Sequence, residues 1–131
     1  MSSLIEPMFF HLAWCVFLYL VLTLVRAPKV WGIQWSKKAT ALCEDVEPRV
    51  SANLSNQFEW PIFFYISCLV FMLKELDSNI VFITLAWVFM LGRVIHSGVQ
   101  ILTTNVRLRG LVFTINFLAV LAMWCLLLFT L

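Results

Sequence analysis

The sequence is poor in charge. Only 12% of its 131 residues are charged and 63% are hydrophobic, where soluble domains carry about 25% charged residues. A soluble fold of this length would leave much apolar surface in water, a cost that lipid removes. The net charge is +2, and no Lys/Arg run is long enough to track a phosphate backbone, so nucleic acid is not an expected partner. Cysteine is sparse as well. Cys15, Cys43, Cys68 and Cys125 form no C-x-x-C pair, and three of them lie in apolar segments, where a thiol behaves as a small hydrophobe. Neither a disulfide framework nor a metal site is expected from that spacing. There is no P-loop, Gly-rich dinucleotide turn, H-E-x-x-H or nucleophile elbow, and no internal repeat. The length suits one domain.

What the sequence has in quantity is apolar stretches. A membrane span needs about 20 mostly apolar residues, and four candidates are visible at about 8–25, 54–73, 80–102 and 111–131. The first is interrupted only by His11 and Thr23, and the last has Asn116 as its one strongly polar residue. The second is clean only over 61–73 and takes the rest of its length from the polar stretch before it. The third carries Arg93, His96 and Gln100. Residues 74–79 read as a short turn that folds these two into an antiparallel hairpin. The expected fold is an all-α, integral membrane four-helix bundle. Its first loop is expected to run about 20 residues, with an amphipathic stretch around 30–42. The N-terminal segment has no basic n-region and no small-residue cleavage site, so it reads as a retained helix.

Basic residues set the orientation. Arg26, Lys29, Lys37, Lys38, Arg49, Arg93, Arg107 and Arg109 fall on one side of the expected bundle, and only Lys74 on the other. The positive-inside rule makes the eight-residue side cytoplasmic and turns both termini away from it. Trp14, Trp31, Trp35, Trp60 and Trp124 suit interfacial belts. Lys37 and Lys38 suit solvent or anionic headgroups.

Polar groups at membrane depth face a bundle interior or a wet cavity. At 100° per residue, Arg49, Asn53, Asn56, Gln57 and Glu59 share a face about 160° wide. Arg93, His96, Ser97, Gln100 and Thr104 share another, near the same end of the antiparallel partner. Two polar faces at equal depth suggest one shared site. Each residue also has a plainer reading. Arg93 can neutralise Glu59, His96 can be a hydrogen-bonding core residue, and Asn53 and Asn56 can hold helices together. His11 stands alone and reads as interfacial.

The stretch from Glu47 to Pro61, with Arg49, then Asn56-x-x-Glu59, then Pro61, resembles the second-helix signature of the MAPEG family, the membrane-associated proteins in eicosanoid and glutathione metabolism. The stretch from Arg93-Val-Ile-His96 to Asn105-Val-Arg-Leu-Arg109 resembles that family's third helix and the entry to its fourth. The likeness is nearest to the short bacterial branch, which implies a bacterial inner membrane. It also implies a homotrimer with glutathione sites between neighbouring subunits, near the cytoplasmic face. An arginine near the start of the fourth helix would stabilise the thiolate, a place for which Arg107 and Arg109 both qualify. Arg49 and Arg93 would hold glutathione carboxylates, and Asn53, Asn56 and Glu59 its amides and amine. His96 and Gln100 complete the binding set by their shared face. Asn53 keeps the family's spacing to Arg49, whereas Asn56 keeps the spacing to Glu59.

The implied function is a glutathione-dependent transferase or peroxidase acting on lipophilic electrophiles, in contact with membrane lipids. The competing reading is a non-catalytic membrane protein that binds a lipid or small anion in the same pocket. A transporter is disfavoured by the absence of paired Gly/Pro helix breaks.

Overall fold

A computed structural model describes residues 4–131. Five helices follow one another: α1 (Ile5–Val30), α2 (Lys37–Asn56), α3 (Pro61–Leu73), α4 (Ile80–Leu102) and α5 (Val106–Thr130). No strand occurs among the described residues. α2 and α3 are one arm with a break at 57–60, so the five helices make four arms. Pro61 explains the break, because it has no N–H to donate to the Gln57 carbonyl four residues back. Tighter bonds fill the gap, Gln57 N–H to Leu54 O at 3.1 Å and Ile62 N–H to Glu59 O at 3.3 Å. The arm expected over 54–73 is therefore interrupted.

Local signals set several helix starts. The Ser36 hydroxyl accepts from Ala39 N–H, and the Asn105 side chain accepts from Leu108 N–H. Asn79 accepts from Val81 N–H and Phe82 N–H. Each satisfies amides that a helix N-terminus leaves open. The first connection is shorter than the sequence implied. α1 runs on to Val30 and α2 begins at Lys37, which leaves 31–36, reversed at Gly32 with φ 66°. That left-handed backbone suits glycine. The two long ends are clamped by an Arg26–Glu47 ion pair of 2.7 Å.

α4 packs along α5 and also against α1 and α2, while α3 packs on α5. An aromatic and aliphatic core fills the end distal to the polar faces, with Phe64 stacked on Phe89 and Phe71 on Phe82. Leu18, Leu22, Val50 and Leu54 form a second core between α1 and α2. The outside is apolar: Phe9, Leu20, Leu118 and Phe129 are each more than half exposed. That inversion fits lipid as the surrounding solvent. α1, α4 and α5 are each long and apolar enough to cross a membrane alone, whereas α3 has 13 residues.

Candidate functional site

The two polar faces meet inside the bundle. Asn53 Nδ2 donates to Gln100 Oε1 at 2.9 Å, and Asn56 Nδ2 reaches the same oxygen at 3.5 Å. Gln57 is the centre of the network. Its Nε2 donates to Asn53 Oδ1 at 3.2 Å and to Ser97 Oγ at 3.4 Å. Its Oε1 accepts from Arg93 Nε at 3.2 Å and lies 2.9 Å from His11 Nε2.

Two residues depart from their expected places. Arg93 is 1% exposed and has no carboxylate within ion-pair distance among the described residues. Its direct partner is Gln57, not Glu59, because the break at 57–60 leaves Glu59 on an exposed turn. His11 is not interfacial. It is buried and bonded to Gln57 and to Tyr65. No periodic signal could reveal this, since α1 is apolar around most of its circumference and shows no inner stripe in sequence.

The candidate residues sort into three groups. Asn56, His96, Gln100 and Arg109 line a cleft of about 340 Å³ beside Phe113. Asn56 and Phe113 also border an adjoining hollow of about 460 Å³, whose other walls are Glu59, Trp60 and Phe63. Asn53 and Arg93 are buried behind this groove. Arg49 and Arg107 are outside its walls, Arg49 being paired with Asp45 at 2.6 Å. Arg107 and Arg109 differ by two residues, about 200° around the helix, which sends them to opposite sides. The groove also separates the two asparagines. Asn56 and Glu59 face it together, while Asn53 buttresses Gln57 and Gln100.

Some buried polar atoms have no hydrogen-bond partner. They include His96 Nδ1 and Trp60 Nε1, on residues that wall the groove, and Arg93 Nη2 behind it. Buried polar atoms are seldom left in this state. The groove therefore offers an arginine at its mouth, a carboxylate, two amides and unfilled polar sites along an aromatic wall.

The model of the MAPEG family matches residues 4–129. The chain belongs to the MAPEG family. No match was found among curated proteins or among solved structures. MAPEG proteins are membrane helical bundles, so this is an integral membrane protein, and the family includes glutathione-dependent transferases and peroxidases. Its members commonly use glutathione. In the groove Arg109 places a fixed positive charge in one cleft with Asn56, His96 and Gln100.

Proposed function

We propose that this MAPEG protein is a glutathione-dependent transferase or peroxidase for lipophilic electrophiles, working in the groove bounded by Arg109, His96, Asn56 and Glu59. The observation that carries the reading is Arg109 in one cleft with Asn56, His96 and Gln100, beside the unpartnered His96 Nδ1. The residues fit glutathione. Glu59 suits its ammonium, Asn56 and Gln100 its amides, and Arg109 a carboxylate or the sulfur. When bound, glutathione supplies a thiol whose thiolate form is the nucleophile. Arg109 favours that form by placing positive charge near sulfur. Arg93 and Asn53 act from behind the groove by fixing Gln57 and Gln100. Arg49 reaches no part of the groove within one chain.

The open side of the groove supports a homotrimer in which a neighbour completes the site. The basic bias supports a bacterial inner membrane, with the groove's arginine end cytoplasmic.

The test compares Arg109→Ser with Arg107→Ser in detergent-purified protein. The readouts are the ultraviolet thiolate absorbance of bound glutathione, its dissociation constant and conjugation of an aryl halide. Arg109→Ser should lower the thiolate signal and the rate at least tenfold, the order of one lost charge contact, and Arg107→Ser should stay near wild type. Equal behaviour of the two variants would remove Arg109 from its role. Absence of glutathione binding in wild type would favour the non-catalytic lipid or anion reading.

A further inference from the structure

The connection between α1 and α2 combines features that suit neither water nor hydrocarbon. Trp31 and Ile33 are 70% and 47% exposed, and Trp35 is exposed beside them. In water that apolar surface is costly, and in hydrocarbon the irregular backbone of 31–36 would be. The headgroup layer accommodates both, and tryptophan is enriched there. The lengths agree. The apolar run of α1 ends at Val25, and residues 26–30 carry the helix about 7 Å further at 1.5 Å per residue. A headgroup layer is about 5–7 Å deep on each side of a bilayer. At this depth a hollow of about 760 Å³ lies between the end of α1 and the start of α2.

Four charged side chains line this hollow, Arg26 and Lys29 from α1 and Glu44 and Glu47 from α2. Arg26 and Glu47 neutralise each other in their 2.7 Å ion pair. Lys29 and Glu44 remain. Both are exposed, and neither has an ion-pair partner among the described residues. One open cation and one open anion thus border a single hollow from different helices. Thr40 adds a hydroxyl one turn before Glu44, on the same face of α2. Val25 and Val30 make part of the α1 wall apolar, and Val25 is one turn deeper in the membrane than Lys29. The set is complementary to a zwitterion that carries an apolar tail.

We propose that the α1–α2 corner binds a phospholipid headgroup in which a phosphate is joined to a primary ammonium. The phosphate meets Lys29 and Thr40, the ammonium meets Glu44, and the acyl chains descend past Val25. A headgroup with negative charge alone would leave Glu44 unanswered and approach two carboxylates. A trimethylated ammonium keeps its charge but has no N–H to donate, so it forgoes the charge-assisted bond to Glu44. The apolar wall and the depth of the hollow favour a lipid over a soluble compound with the same charges. This inference is independent of the glutathione reading, since no residue that lines this hollow lines the Arg109 groove.

The experiment uses the full chain in mild detergent, with native mass spectrometry to measure the lipid retained. The probes are phosphatidylethanolamine, phosphatidylcholine and phosphatidylglycerol with identical acyl chains. The ethanolamine lipid should be held about tenfold more tightly than the other two, the order of one hydrogen bond to a charged group. Glu44→Gln should cut its advantage over phosphatidylcholine to about threefold or less. Lys29→Gln should weaken all three lipids. Lys38→Gln, on another face of α2 and outside the hollow, should leave the preference as in wild type. Lys29 and Glu44 lie at the surface, where substitutions change stability little, and equal thermal unfolding of the variants checks this. Equal retention of the three lipids by wild type would overturn the proposal, as would an unchanged preference in Glu44→Gln. Tightest binding of phosphatidylglycerol would overturn it too, by making the corner a plain basic surface. Glycerophosphoethanolamine, the headgroup without its chains, should not displace the lipid at equal concentration. Displacement would assign the hollow to a soluble zwitterion instead.

Discussion

Gln57 saturates both ends of its amide where α1, α2 and α4 converge, joining Asn53, Ser97, Arg93 and His11. Removing that amide strands a buried guanidinium. Gln57→Leu should cost about 3 kcal/mol or more, because a charged group without partners bears its full desolvation penalty. The cost should shrink in Gln57→Leu with Arg93→Met, a non-additivity of about 1 kcal/mol or more. Glu59→Leu should add independently to Arg93→Met. Denaturant unfolding of the single and double variants in micelles measures both, and strong coupling to Glu59 instead would contradict the geometry. Gly92 offers a second test. A Cβ there would fall onto the Asn116 side chain, whose amide is buried without partners. Gly92→Ala should destabilise by about 1–3 kcal/mol, as overpacking does, and Asn116→Ala should relieve most of it. If Gly92→Ala is neutral by thermal unfolding, α4 and α5 are less tightly packed at that level than the contact indicates.

Among the elements, the α2–α3 arm decides the shape of the groove. Its break puts Asn56 and Glu59 on the groove wall and frees Gln57 to face inward. Pro61→Ala returns an N–H that can bond the Gln57 carbonyl and favours a continuous helix. Amide hydrogen exchange at 58–62 should slow, and glutathione-dependent turnover should fall as the wall moves. Unchanged exchange would mean that the proline does not cause the break. Helix starts were legible in the sequence where an apolar run marks them. α4 begins at Ile80, where the apolar run begins, whereas α5 begins at Val106 and not near 111, because the Asn105 side chain caps a turn that the basic residues Arg107 and Arg109 make look like loop. The extension of α1 to Val30 was not legible, since the apolar run ends at about 25 and the charged residues after it read as loop; the helix continues through Pro28, and Arg26 pairs with Glu47 on α2. The polar half of the site was visible because Asn53, Asn56, Arg93, His96 and Gln100 recur at helical spacing. Which of Arg107 and Arg109 borders the groove was not, because phase alone does not say which side of α5 the groove occupies. His11 and Tyr65 stayed hidden for a related reason: in apolar helices a buried face has the same composition as a lipid face.

At the scale of the whole molecule, a lipid-facing exterior surrounds a polar interior that opens on one side. If, as proposed, a neighbour closes the groove in a homotrimer, native mass spectrometry in mild detergent should give three times the 15.2 kDa chain mass. A monomer would reject the shared-site assembly. A reporter active only in the cytoplasm, fused after Leu131, should stay silent, given the placement of eight basic residues at the opposite end. Activity from that fusion would invert the topology. The short α3 then ties the protein to its membrane. Thirteen helical residues reach about 20 Å, against a hydrocarbon thickness of about 30 Å. The shortfall is met by the polar turns of α2, by water drawn inward or by a thinned bilayer. Hydrophobic mismatch of this kind is relieved through tilt and local deformation, and the most deformable point of the arm is the break beside Asn56 and Glu59. A change of bilayer thickness should therefore be felt first where the arm is not continuous helix, at the wall that Asn56 and Glu59 give the groove.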